Sequence, residues 1–216
     1  MDFTFAADVL NRFIAFVIAL IANEIAQGYF AKWQGDNTPE INGRLTLNPI
    51  PHMDPIGSVV LPLIGSAIGG FMFGYPKPMP INTGNMRNRK WGPVFTALAG
   101  PAFNLILSAL AVGALILLGP AEQGTPFIAV ERLLKGLTFI CAIWALFQLI
   151  PLPPLAGSEI VSALLPYDLK QKYEALAQYS FIIFIVLIFS GAFRILAVIA
   201  QVWVSLAYSF FSALLS

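Results

Sequence analysis

The sequence predicts an all-α integral membrane protein with about six transmembrane helices or helical segments, one of them broken by proline. Three observations predict it. Of 216 residues, 58% are hydrophobic and only 11% charged, and the mean hydropathy is +0.78, which is too apolar for an ordinary soluble domain. Five stretches, 55–75, 91–120, 136–158, 175–193 and 195–216, contain no Asp, Glu, Lys or Arg, and a bilayer-crossing helix needs roughly 20 such residues. Finally, Pro151-Leu152-Pro153-Pro154 removes three backbone donors from stretch 136–158, so that stretch cannot stay a regular helix.

The first segment, 9–31, carries Arg12 near one end and Asn23, Glu24 and Gln27 inside. Residues three and four apart share a helix side, and a carboxyl group in hydrocarbon costs several kcal/mol, so this side must face protein or a wet cavity. Because the chain starts Met1-Asp2-Phe3 with no basic residue, the segment is expected to stay in place rather than be cleaved as a signal peptide. In the second segment Gly65, Gly69, Gly70 and Gly74 supply small-xxx-small spacing for close helix packing. The loop between the second and third segments holds Lys77, Arg87, Arg89 and Lys90, making it the best cytoplasmic candidate. Non-helical backbone at 151–157 must be buried in protein or line a cavity.

No repeat or long polar linker interrupts the chain, so 1–216 reads as a single membrane domain. A net charge of +1 gives no reason to expect nucleic acid. The lone Cys141 permits no intrachain disulfide.

Asn23-Glu24-Ile25-Ala26-Gln27 has the form of an H-E-x-x-H helix with amides in place of both histidines. Together with Gly43-Arg44-Leu45-Thr46-Leu47-Asn48-Pro49, His52-Met53-Asp54-Pro55-Ile56-Gly57, Ala99-Gly100-Pro101-Ala102-Phe103-Asn104 and Pro151-Leu152-Pro153-Pro154-Leu155-Ala156-Gly157, it resembles the site-2 protease family of intramembrane zinc metalloproteases. The resemblance is to the compact type without a PDZ insertion. It implies a zinc held by two histidines and an aspartate, at positions that here read Asn23, Gln27 and Ala156. Neutral amides are weak zinc ligands and alanine is none, so no cofactor is expected although zinc serves the family. Glu24 matches the family's general base, which acts on water that the metal holds and acidifies. Without the metal, Glu24 reads as a protonated or hydrogen-bonded group in a network with Asn23 and Gln27. Gln148 stands where the family commonly has Asn.

By the same resemblance Gly100, Pro101, Asn104, Pro153 and Leu155 are substrate-binding positions; for Asn104 a helix-packing hydrogen bond explains the residue equally well. His52, the only histidine, with Asp54 and Glu159 forms a possible alternative polar site, against a simpler role for His52 and Asp54 in stabilising their loop. The leading reading is a site-2 protease-like pseudoprotease that binds transmembrane or extended protein segments. Its partners are then the lipid bilayer and a single-pass membrane client, with the chain in a bacterial inner membrane or its equivalent. An active intramembrane zinc endopeptidase with a non-standard site is the alternative. A channel or transporter is a further one, suggested by Glu24 and the proline-broken helix.

Overall fold

The computed structural model describes residues 3–67, 74–121 and 125–215. Among them the regular structure is helical, apart from an isolated antiparallel bridge between Met53 and Pro76. Nine α-helices follow in order: α1 Phe3–Gln34, α2 Thr38–Ile41, α3 Leu61–Ala67, α4 Gly92–Leu118, α5 Phe127–Gln148, α6 Ala156–Leu164, α7 Tyr167–Glu174, α8 Ser180–Phe189 and α9 Ala192–Leu215.

Helices α1, α4 and α5 form the core, with α9 laid against α4 and α5 and with α6 against α4. Small side chains make this possible. Ala15 and Ala19 of α1, Ala111 of α4 and Cys141 of α5 are buried together, so the three backbones approach closely, as membrane helices do where no apolar solvent contrast drives them together. A larger cluster fills the space toward the proline-rich turn: Phe16, Leu20, Trp144, Phe147, Leu152 and Leu155. Phe16 meets Trp144 edge-on at 5.3 Å, the favoured geometry for aromatic quadrupoles.

Among the described residues three helices are long and apolar enough to cross a membrane: Ala7–Gln34, Gly92–Leu118 and Phe193–Leu215. The chain is accordingly a membrane protein. The six apolar stretches do not each become such a helix among the described residues, and the reasons are local. Stretch 55–75 opens with a π-helical turn, Pro55–Val60, before α3; Gly69 and Gly70 lie outside the described residues, and Tyr75 is already in extended chain. Stretch 136–158 is divided, since α5 ends at Gln148 and α6 starts at Ala156. Stretch 175–193 yields α8 of ten residues, which stops before Gly191.

Segment 74–82 forms a strap whose residues 75–77 pair with 52–58. Tyr75 N–H donates to Gly57 O at 3.0 Å and Lys77 N–H to His52 O at 2.9 Å. Pro76, Pro78 and Pro80 themselves carry no N–H, so donors alternate with positions that have none. This strap crosses in front of α1, and it positions the site.

Candidate functional site

The polar residues of α1 fall on its packed side. Asn23 is fully buried and Glu24 is 3% exposed. A carboxylate this deep requires a cation, and Arg44 supplies it: Nη2 donates to Glu24 Oε2 at 2.8 Å, with both side chains about equally buried. The same guanidinium donates to Lys77 O at 2.8 Å and to Pro78 O at 3.0 Å. Arg44 therefore ties α1 to the strap, and its fork geometry suits this three-point contact where a lysine would not. The expected Glu24 network with Asn23 and Gln27 is thus replaced by a buried ion pair. Sequence reading missed Arg44, although a lone intramembrane carboxylate was a signal that some cation must reach it.

Asn23 and Gln27 instead face α4 at Gly100. A Cβ there would fall against Asn23 Oδ1, 2.7 Å from Asn23 Cγ and 2.9 Å from Gln27 Nε2, so glycine is what lets the amides in. Neither atom of the Asn23 amide has a hydrogen-bond partner among the described residues, and the same holds for Thr96 Oγ1 and Asn104 Oδ1. Thr96, Gly100 and Asn104 recur every fourth residue and so share one stripe of α4. Asn104 donates through Nδ2 to Ala19 O at 3.1 Å, which is the helix-packing bond that the sequence left open.

Beside this seam lies a cleft of about 700 Å³, within the size range of ligand sites. Glu24 and Gln27 line it from α1, Gln148 from α5, Leu155, Ala156 and Glu159 from the proline-rich turn and α6, and Tyr75, Pro78 and Met79 from the strap. The turn is held by Ser180 Oγ donating to Pro153 O and Tyr173 Oη donating to Pro151 O at 2.9 Å. Gly157 is pressed on the carbonyls of Leu149 and Ile150, so any side chain there would push the turn open. Gly100 and Asn104 are buried in the α1/α4 seam, and Pro101 and Pro153 are buried too; none of the four lines the cleft, whereas Leu155 does.

His52 is fully buried, its Nε2 bonded to Thr46 O at 2.8 Å. Burial holds its pKa below the ordinary value, against the Thr46 bond and with help from the nearby Arg44 charge. Asp54 caps the π-helical turn, accepting from Ile56 N–H at 3.0 Å and Gly57 N–H at 2.7 Å. Both residues therefore organise their own loop, while Glu159 sits on α6 with a pKa raised by burial, against the charge of Lys170. No three His, Cys, Asp or Glu side chains among the described residues converge to hold a metal ion.

The chain is 34% identical over 181 residues to the Bacillus subtilis (strain 168) protein named "Putative zinc metalloprotease YwhC", covering 81% of this chain and 78% of that one. The chain belongs to the site-2 protease family. It is also 31% identical over 180 residues to "Putative zinc metalloprotease Rip2" of Mycolicibacterium smegmatis, covering 82% of this chain and 65% of the relative. The Rip2 of Mycobacterium tuberculosis (strain ATCC 25618 / H37Rv) is 29% identical over 162 residues, 74% of this chain and 58% of that protein. No protein-family model matches, and neither does any solved structure.

Those names imply zinc, and the donor set here does not fit it. Asn23 and Gln27 offer only neutral amides, Ala156 offers a methyl group, and Glu24 is engaged by Arg44. What the site can do is present a mostly apolar cleft lined by the amides of Gln27 and Gln148 and by a carboxylate paired with Arg44.

Proposed function

We propose that this site-2 protease family member is a multi-pass inner-membrane pseudoprotease, its zinc-ligand positions being Asn23, Gln27 and Ala156, which binds a transmembrane or extended segment of another protein without cutting it. The observation that carries this reading is the cleft itself. It lies where the family's chemistry is expected, yet its carboxylate is paired with Arg44 and its floor carries amides. Such a floor can hydrogen-bond a peptide main chain without any metal. The strap contributes little to such pairing, because Pro76, Pro78 and Pro80 lack N–H donors, so side-chain amides such as Gln27 and Gln148 take on more of it.

Elemental analysis of the purified chain tests the proposal: no stoichiometric zinc is expected, and about one tightly held zinc per chain overturns it in favour of an active metalloendopeptidase, the reading that the relatives' names favour. In a second arm Asn23→His, Gln27→His, Ala156→Asp and Gln148→Asn together restore zinc binding, whereas single changes do little, since ligands must act jointly to offset metal dehydration. Photo-cross-linkers at Leu155 are expected to capture one single-pass membrane protein, uncleaved. Capture of lipid alone would count against a binding role.

A further inference from the structure

A second hollow opens beside the cleft, on the side of the basic loop. Arg89 and Lys90 of the loop before α4, Lys170 of α7, and Glu159 and Ser162 of α6 line a volume of about 310 Å³, with Tyr167 at its edge. Neither Arg89 nor Lys90 takes part in an ion pair among the described residues. Lys90 lies 5.6 Å over the Trp91 ring, and Lys170 makes only a long, exposed contact of 3.6 Å with Glu174. Three cations therefore face the hollow against one carboxylate, Glu159.

Its depth in the membrane follows from the sequence. Arg89, Lys90 and Trp91 immediately precede Gly92–Leu118, one of the helices able to cross a bilayer. The hollow thus sits where hydrocarbon ends and headgroups begin, the level at which tryptophan and tyrosine gather. Helix α7 supports this placement, since it exposes Tyr167 and Leu169 beside its lysines, as an interfacial helix does. A concave, under-neutralised basic site at this level lies within reach of anionic phospholipid headgroups.

We propose that this hollow binds the phosphate of an anionic phospholipid headgroup, with Arg89 and Lys90 on one side and Lys170 on the other. Arginine's planar fork donates two parallel hydrogen bonds to phosphate oxygens. Glu159 opposes the bound charge. It also lines the cleft, so the lipid would sit at the cleft's edge; the lipid site itself does not depend on what the cleft binds.

The test is native mass spectrometry of the full chain in detergent, titrated with phosphatidylglycerol or with phosphatidylcholine of the same acyl chains. One phosphatidylglycerol per chain is expected to be retained in preference to phosphatidylcholine. Each cation near an anionic surface contributes about a factor of five, so Arg89→Gln with Lys90→Gln is expected to weaken retention roughly 10- to 30-fold. Lys32→Gln with Lys135→Gln, which removes two cations elsewhere, leaves retention unchanged. Glu159→Gln strengthens it a few-fold, a gain that a misfolded variant would not show. Equal retention of both lipids, or an undiminished Arg89/Lys90 double variant, overturns the proposal. Displacement of phosphatidylglycerol by millimolar inorganic phosphate would identify a free-anion site and overturn the lipid assignment.

Discussion

Two buried polar centres of this molecule are built on opposite terms. Asp36, fully buried after the end of α1, has its carboxylate satisfied on all sides. It accepts from Thr38 N–H at 3.0 Å, Thr38 Oγ1 at 2.5 Å and Asn85 Nδ2 at 3.2 Å through one oxygen, and from Asn82 N–H at 2.7 Å through the other. Asn23, equally buried and about 17 Å of helix before α1 ends by rise per residue, satisfies neither end of its amide. A polar group kept for structure is closed on its neighbours, because an orphaned buried group costs about 1–3 kcal/mol. Tolerating that cost in the α1/α4 seam, beside the cleft, is what a site retained for binding would show. Glu24 lies between these extremes, paired through Arg44 to a single cation.

The largest effect should come from breaking that pair. Arg44→Met leaves an uncompensated buried carboxylate and frees the strap, and is expected to cost about 3–5 kcal/mol. Glu24→Leu added to it should recover most of the loss, since a buried pair exchanged for apolar groups is often neutral. Unfolding of the purified chain in detergent measures both; an Arg44→Met variant within about 1 kcal/mol of the parent would show that the pair is not what holds the strap. Next come the glycines. Gly157→Ala sets a methyl against the carbonyl of Leu149 and 2.7 Å from Ile150 O, and backbone cannot yield; about 1–3 kcal/mol is expected. Gly100→Ala meets the side chains of Asn23 and Gln27, of which Gln27 can swing away, so its cost should be smaller. If Gly100→Ala is the worse of the two, the seam is more rigid than the turn.

Asp36 makes the comparison pH-dependent. Although burial works against its charge, its hydrogen bonds from Thr38, Asn82 and Asn85 hold the carboxyl below its ordinary pKa. A carboxyl depressed in the folded state adds stability above its unfolded pKa of about 3.9, and that contribution is lost as pH falls through the folded value. Asp36→Asn should therefore be destabilised by about 1–2 kcal/mol at pH 7, with the gap to the parent closing as both are acidified below about pH 4. A gap that is constant with pH would show that the carboxylate's charge is immaterial to the loop.

How much of this was legible follows from sequence separation. The α1 polar side and the break at 151–155 can be read directly, because each depends on neighbours within a turn or on proline's missing donor. Arg44 lies 20 residues from Glu24, and Asn82 and Asn85 lie 46 and 49 from Asp36; these pairings depend on the path of loops that carry no periodic signal. The boundary of the last segments shows the same limit at short range. Charge places it at Arg194, yet α8 ends at Phe189 and the chain turns at Gly191 with φ 77°. An apolar run continues through that turn, so hydropathy could not mark it. Amide orphans were invisible for a further reason, since satisfaction is a property of surroundings and not of residue type.

The smallest effect is also the sharpest test of the contrast. Asn23→Leu replaces an amide by an apolar group of similar size, and because neither amide atom is bonded within the described residues, no protein hydrogen bond is lost. The folded state is expected to be unchanged or more stable by about 1 kcal/mol, the opposite sign to Asp36→Asn. Stabilisation from removing a polar group at a site, with function impaired, is the trade-off that binding sites show. Capture of a client by a Leu155 cross-linker should accordingly fall in Asn23→Leu while the unfolding midpoint holds or rises. If Asn23→Leu instead destabilises the chain by more than about 1 kcal/mol, the amide has a structural partner after all, and the seam is closed in the same manner as the Asp36 loop.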